Sequence, residues 1–564
     1  MFPVDGHRSS GADPVYDVWY RWLRLAGYML PPQVYTAAEA LFAASYLNSK
    51  RPRSLTAHEF LATSLLRQAL VFYPLDHRLL GYVQRLHSLV PASSGFDVWL
   101  RGLRRLHRSR PDYFMHSVEI SAPMRWKKPQ VVTEDYLKDE NPGAMATACY
   151  EFWSLGHWET VRQIFLRMMA MPVAPYLAPI AAWSAWNAGD RDLAARWLHA
   201  SMPPSFLTFN LLAEMAMEAG DKEQARRYWK QSLRWEPYQP HLFHRYWESQ
   251  DSRSATTASS VGKVHIVLYT YNKLETTLAT LQKLLVSGIE ACPVTLLNNG
   301  STSFSKQDLE QGVRTVAQGR VVDIIHLPVN IGAPAARNWL WHLPQVKNCD
   351  YVAFLDDDVL VPPNWLSHYL ESLDLFPSAV VVGPRGLNPG TLPTIQYVHR
   401  FFHQIDDHKI LFTPAAPMFE DFGQFSYRHP CLSVMGCCHL FHRRRWESLG
   451  IPDFDISFAP SQVDDLEHDL QIWKKGGQVL FDGRVAVIHL QDAGRAAPRS
   501  RAAWGHVWGN HMKMESKFTG AELMDMKRRV EEADDSFHER IRNEIEAEVF
   551  GETKAVQILG KTLR

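Results

Sequence analysis

Cysteine is scarce and unpaired in this chain. The six that occur, Cys149, Cys292, Cys349, Cys431, Cys437 and Cys438, show no C-x-x-C spacing. That argues against a zinc site and for a reducing compartment. No stretch of about 18 apolar residues is present, so no membrane-spanning helix is expected. The first residues carry no apolar core behind a basic start, and a secretory leader is not expected. An excess of one charge is missing too: Lys plus Arg and Asp plus Glu both number 60, which removes the electrostatic case for a nucleic-acid partner. A local basic run from Arg101 to Arg110 holds five arginines; a solvated helix face explains it more simply than an anionic surface does. The expectation is a cytoplasmic protein, with a peripheral place on the inner face of a membrane left open.

What is present fills more than one core. At 564 residues the chain exceeds the size at which single cores stop growing. The polar, Ser/Thr/Ala-rich segment 249–262 reads as a linker. Residues 1–248 before it read as helical. Their second half repeats a helix–glycine–helix pattern at Gly156, Gly189 and Gly220, which lie 33 and 31 residues apart. This resembles the tetratricopeptide repeat, in which two helices pair across such a turn. A glycine there ends the first helix in a left-handed conformation. A repeat array offers a concave surface for a protein partner.

After the linker the texture becomes strand–helix alternation, which implies a doubly wound, parallel α/β sheet over 263–495. A charged helical extension, 496–564, follows. The sharpest feature is Tyr351-Val352-Ala353-Phe354-Leu355 running into Asp356-Asp357-Asp358. The apolar run suits a strand buried on both faces. Its acids fall at the carboxyl end, where open α/β sheets bind ligands. Two strand residues apart, Asp356 and Asp358 would share a side at roughly 6.6 Å. At an effective dielectric of about 20 they repel by roughly 2.5 kcal/mol, a repulsion that a divalent cation relieves. Hard oxygen ligands suit Mg²⁺ or Mn²⁺; a solvated acidic turn is the alternative.

Five strings in order then carry a family resemblance. They are Thr270-Tyr271-Asn272, Asn298-Asn299-Gly300-Ser301-Thr302, Asn330 to Asn338 (NIGAPAARN), Asp356 to Asp358, and Val463-Asp464-Asp465-Leu466-Glu467 followed by Trp473-Lys474-Lys475-Gly476 and Val487-Ile488-His489. The region from Val264 to Asp492 resembles the family 2 glycosyltransferases, inverting enzymes of the Rossmann-like GT-A fold. The resemblance implies a nucleoside-diphosphate sugar as donor, Mn²⁺ or Mg²⁺ as cofactor, and a hydroxyl on a glycan, a lipid-linked molecule or a protein as acceptor. It assigns donor binding to Thr270, Tyr271, Asn272, Asn298, Asn299, Gly300, Gly332, Arg337, Asp356 and Asp357. It makes Asp358 a direct metal ligand, gives Asp356 to ribose or metal, and lets His489 complete the coordination. Arg337 would meet the diphosphate or a carboxylate of the acidic cluster, and a guanidinium fork suits either.

Departures from the family pattern leave choices open. Asn298 stands where an aspartate is usual, so the base is undetermined. Asp465 is the expected general base, but Asp464 replaces a glutamate and Glu467 an aspartate, so either neighbour could serve. No Q-x-x-R-W string follows Asp465, which favours single addition over processive synthesis. An aromatic, histidine-rich stretch between Gly386 and Met435 (Tyr397, His399, Phe401, Phe402, His403, His408, Phe419, Phe422, Phe425) sits where an acceptor pocket is expected. Two rivals remain: a sugar-nucleotide pyrophosphorylase, which lacks its glycine-rich first loop here, and a non-catalytic repeat scaffold carrying an inactive nucleotide-sugar-binding domain.

Overall fold

The computed structural model describes residues 57–86, 92–115, 141–154, 157–250, 263–289, 291–390, 394–406, 409–413, 421, 423–490 and 501–551. One compact unit holds the described residues up to Ser249 together with those from Ile541; the second holds the described residues from Gln250 to Arg540. Among the described residues no helix is long and apolar enough to cross a membrane.

The first unit is helical throughout its named elements, apart from one 3₁₀ turn. Its clearest pattern is a helical hairpin used twice. Helices α1 (Ala174–Asn187) and α2 (Arg191–Ala200) are followed by α3 (Phe206–Glu218) and α4 (Lys222–Trp235). Each first helix ends on a left-handed glycine, Gly189 at φ 83° and Gly220 at φ 80°. Each second helix begins at an aspartate cap: Asp190 accepts from Leu193 N–H and Asp221 from Gln224 N–H, at 3.1 and 3.0 Å. These caps satisfy donors that a helix start otherwise leaves orphaned. The expected unit around Leu155-Gly156 has both of its helices, Pro142–Ser154 and Trp158–Met168, while the turn residues 155 and 156 between them lie outside the described residues.

The second unit is built on one ten-stranded sheet. Strands β1 (Val264–Thr270), β2 (Val294–Asn298), β3 (Asp323–His326) and β4 (Tyr351–Asp356) lie in the order β4-β1-β2-β3 and are all parallel. Helices α5 (Leu274–Leu285), α6 (Lys306–Ala317) and α7 (Ala333–Trp341) connect them. β1 and β4 are buried along nearly their whole length, as an apolar run covered on both faces should be. Beyond β4 the sheet becomes mixed. Short β5 (Val359–Leu360) follows the acidic cluster, and α8 (Trp365–Leu375) leads into β6 (Ala379–Leu387). Then come β7 (Ile395–Tyr397), β8 (His399–Arg400), the hairpin β9 (Phe402–Ile405) with β10 (Ile410–Phe412), β11 (Arg428–Cys431), β12 (Ser433–Val434) and β13 (Cys438–His442). β13 lies antiparallel between β4 and β6, while the long β14 (Gln478–His489) runs parallel to β6. The expected sheet is therefore present, but mixed rather than purely parallel.

Register, rather than proximity in sequence, assembles the candidate site. Tyr269 pairs with Asp356, Thr270 with Asn298 and Asn298 with His326, so the first two motifs and the acidic cluster end on one edge. β14 pairs antiparallel with β5, setting His489 opposite Val359, beside the acidic cluster. The strand carrying that cluster ends at Asp356, and Asp357 and Asp358 form a turn. The two outer aspartates converge across this turn rather than along one strand face. Gly300 fixes the loop after β2: at φ 69°, an added Cβ would lie 2.2 Å from the Val329 carbonyl carbon and 2.5 Å from Asn330 N. Gly300→Ala should therefore cost at least about 2 kcal/mol, from backbone strain and overlap together, read as a lower urea midpoint at unchanged m-value.

Candidate metal and sugar-nucleotide site

Asp356, Asp358 and His489 bring one ligand atom each to within 4.8 Å of one another. Asp358 is almost wholly buried. Its Oδ2 receives Lys273 Nζ at 2.9 Å, and its Oδ1 lies 3.1 Å from His489 Nε2 without a well-aligned hydrogen bond. A buried carboxylate oxygen in that state fits a cation ligand. Burial works against the charged form of Asp358, but His489 and Lys273 outweigh it and hold the carboxyl below its ordinary value. His489 shows the converse: burial would lower it, and Asp358 raises it above the ordinary imidazole value. The His489 Nδ1 is 2.8 Å from Gln396 Oε1. With Nδ1–H donating to that amide, Nε2 is left to face Asp358, as second-shell partners commonly orient a ligand histidine. Two carboxylates and an imidazole nitrogen make a donor set suited to Mn²⁺ or Mg²⁺.

Asp357 does not join this trio. Burial raises its pKa, against the pull of Lys273, whose Nζ lies 3.1 Å from Oδ1, and of Thr270, which hydrogen-bonds its side chain. Asp356 accepts from the Tyr269 hydroxyl at 2.8 Å and faces Arg337 Nη2 at 3.5 Å. Arg337 also pairs with Asp464, so one buried guanidinium ties the acids of β4 to those at the start of α9 (Asp464–Lys474). Burial disfavours the Arg337 charge, yet the surrounding acids and Tyr269 prevail and raise its pKa. Burial pushes Asp464 up to about 6 in spite of Arg337.

The three acids at the start of α9 have different fates. Asp464 is buried against Arg337. Glu467, also buried, is paired with Lys517 and accepts from Gln471 Nε2 at 2.7 Å. Asp465 alone of the three stays partly exposed. Its Oδ2 accepts the Gly436 N–H at 3.0 Å, and a Cβ at Gly436 would come within 2.8 Å of the Asp465 Cβ. Cys437, the next residue, offers its carbonyl to the Asp356 N–H at 2.9 Å, so one loop spans both acidic segments.

The nucleotide-side motifs are stitched together by their own amides. Asn272, at φ 57°, accepts from the Thr302 and Ser303 N–H groups at 2.7 and 3.0 Å. Asn298 Oδ1 accepts from Ser301 N–H at 3.0 Å, and its Nδ2 lies 3.2 Å from His326 Nδ1. Asn299 accepts from Ile331 N–H and donates to Asn330 Oδ1, each at 3.0 Å. Tyr271 is exposed at the mouth of the loop. Gly332, at φ 82°, opens α7, where an added Cβ would meet the Ala459 Cβ at 2.9 Å. The aromatic stretch is largely core: Phe401, Phe402 and Phe425 are buried. His399 lies 3.2 Å from His429, which lies 3.1 Å from Asp534. His408, Phe419 and Phe422 fall outside the described residues.

Sequence reasoning missed Lys273 and Gln396. Lys273 directly follows the first motif, where a lysine facing an acidic strand end could have been suspected. Gln396 had no such signal, since only the fold brings it to His489. Replacing Arg337 with methionine would strand the buried carboxylate of Asp464 and remove the cation facing half-buried Asp356. Arg337→Met should lose about 3–5 kcal/mol in denaturant unfolding, and Arg337→Lys should recover only part of that, because an ammonium lacks the fork.

No curated protein sequence matches the chain. Among solved structures it aligns with GalNAc-T7 bound to UDP, GalNAc and Mn²⁺, at 14% identity and TM-score 0.35, covering 51% of this chain and 57% of that one. It also aligns with the mannosyltransferase PcManGT from Pyrobaculum calidifontis in complex with GDP-Man and Mn²⁺, at 15% identity and TM-score 0.32, covering 62% and 93%. S. aureus TarS follows at 12% identity and TM-score 0.29, covering 44% and 43%. The chain thus spans little more than half the length of the first of these structures. Residues 265–449 match the profile described as Glycosyl transferase family 2, and that stretch is a domain of this family.

Proposed function

We propose that the chain is a metal-dependent, inverting glycosyltransferase that moves a sugar from a nucleoside-diphosphate sugar to an acceptor hydroxyl. The observation that carries the reading is the convergence of Asp356, Asp358 and His489 at the carboxyl edge of the sheet; Asp465 is held by the N–H of Gly436, the residue before Cys437, whose carbonyl takes the Asp356 N–H. Two permanent cations, Lys273 and Arg337, stand among five carboxylates, Asp356, Asp357, Asp358, Asp464 and Asp465. The surplus of negative charge favours a further cation.

Mn²⁺ or Mg²⁺ held by Asp356, Asp358 and His489 would supply Lewis-acid stabilisation to the charge that grows on the leaving diphosphate. The residues of the chain do the rest. The loops ending in Thr270-Tyr271-Asn272 and Asn298-Asn299-Gly300 form the wall for base and ribose, and Gly332 lets the following helix approach. Asp465 takes the acceptor proton as the acceptor oxygen bonds to the anomeric carbon; the bond to the diphosphate breaks on the opposite face, and the configuration inverts. Positioned base help of this kind contributes about 10²–10⁴-fold. Partial exposure suits Asp465 to that task, while Asp464 and Glu467 are occupied by Arg337 and Lys517.

The helical N-terminal domain, read as tetratricopeptide-like, is the part that meets a protein partner or a protein-borne acceptor. Removing the residues before Ser249 should then lower transfer to the acceptor while nucleotide binding persists.

Calorimetry with UDP, GDP, dTDP and CDP, each with and without Mn²⁺, tests the donor side. One nucleotide should bind only with Mn²⁺, and Asp358→Ala should abolish that binding; no binding of any nucleotide sinks the reading and favours a scaffold. Asp465→Asn should lower kcat about 10²–10⁴-fold with nucleotide affinity intact, and an unchanged kcat would remove Asp465 as the base.

A further inference from the structure

The turn that delivers Asp464 and Asp465 is strained. Gln462 and Val463 adopt φ of 86° and 71° in succession, a left-handed region that non-glycine residues rarely enter and that a β-branched valine enters least readily. No side chain caps the helix that follows. Strain of this kind persists only where the surroundings over-determine it.

Those surroundings come from the C-terminal extension. Helix α10 (Arg501–Ser516) buries Asn510 completely. The Asn510 Nδ2 donates to the carbonyls of Phe458, Ser461 and Gln462 at 3.2, 3.1 and 3.0 Å, sharing its two N–H groups among three acceptors. Lys513 Nζ donates to Asn510 Oδ1 at 3.1 Å and to the Ser457 carbonyl at 2.7 Å. One turn on, just past the helix, Lys517 pairs with Asp455 at 2.7 Å and also with Glu467. His506 Nε2 lies 3.1 Å from the Ser461 carbonyl. Residues 506, 510, 513 and 517 are spaced as neighbours on one helix face. Together they grip the chain from Asp455 to Glu467. A buried primary amide is costly unless it is hydrogen-bonded, and this one spends its donors on the backbone of the strained turn.

We propose that Asn510 is a positioning residue for the transfer reaction: it holds the Gln462-Val463 turn so that Asp465 faces the metal trio. The inference rests on the transferase reading above. It assigns the extension, which carries none of the family motifs, a part in turnover rather than in donor binding.

The test uses the full-length chain, with the donor fixed by Mn²⁺-dependent nucleotide binding and the rate read as hydrolysis of that donor, water serving as acceptor. Asn510→Ala should lower kcat at least tenfold, with donor KM and nucleotide Kd within twofold of wild type. Gln462 has an exposed side chain, and glycine accepts a positive φ without penalty. Adding Gln462→Gly to Asn510→Ala should therefore restore kcat severalfold. A wild-type kcat in Asn510→Ala overturns the proposal, as does a joint fall of kcat and binding that Gln462→Gly fails to relieve. Should Asn510→Ala not fold, Lys513→Met reads the same split at about threefold, and an unchanged kcat there overturns it as well. A wild-type chain that binds no nucleotide with Mn²⁺ fails at the first step and sinks the transferase reading, and this inference with it.

Discussion

One buried guanidinium organises the second unit. Arg337 faces Asp356 at the end of β4 and Asp464 at the start of α9, two segments more than a hundred residues apart in the chain. Without a cation between them, these acids would repel each other in a medium that screens poorly. With it, the acidic ends of a strand and a helix can sit side by side, and the partly exposed Asp465 lies next to the cluster. The surrounding contacts keep that arrangement rigid. The rings of Phe454 and Tyr269 lie against the guanidinium, whose carbon is 5.3 and 5.6 Å from their centres, and Gly436 leaves room for Asp465.

Much of this was legible in the residues, and the reason is periodicity. Strands such as Val264–Thr270 and Tyr351–Asp356 are buried on both faces, so they read as unbroken apolar runs that end where chemistry begins. The motifs at their carboxyl ends then point to one sheet edge. What escaped was everything set by pairing across the sheet. Nothing in the string of letters says that β13 would insert antiparallel between β4 and β6, or that Gln396 would meet His489. The acidic cluster was pictured on one strand face, yet the strand stops at Asp356 and a turn makes the convergence. The aromatic stretch before Met435 is in part core. Its phenylalanines suggested a binding surface, but Phe401, Phe402 and Phe425 pack the core, because composition alone cannot tell a buried ring from one that lines a pocket.

The helical repeats and the α/β domain follow different logics. In the first unit, glycine turns at Gly189 and Gly220 and aspartate caps one residue later repeat a local rule, so each hairpin could be read from its own letters. The second unit depends on long-range register, in which the last strand completes what the fourth began.

That last point bears on how the protein is made. His489 lies about 130 residues beyond Asp358, and it reaches the cluster only when β14 has docked beside β5 and β6. At ordinary synthesis rates the two aspartates leave the ribosome on the order of ten seconds before the histidine. Until then the nascent sheet presents only part of the candidate ligand set, in which Lys273 can already neutralise Asp357 and Asp358. An internal ammonium thus gives the young domain a built-in counter-ion, so that its acidic edge need not wait for metal in order to fold.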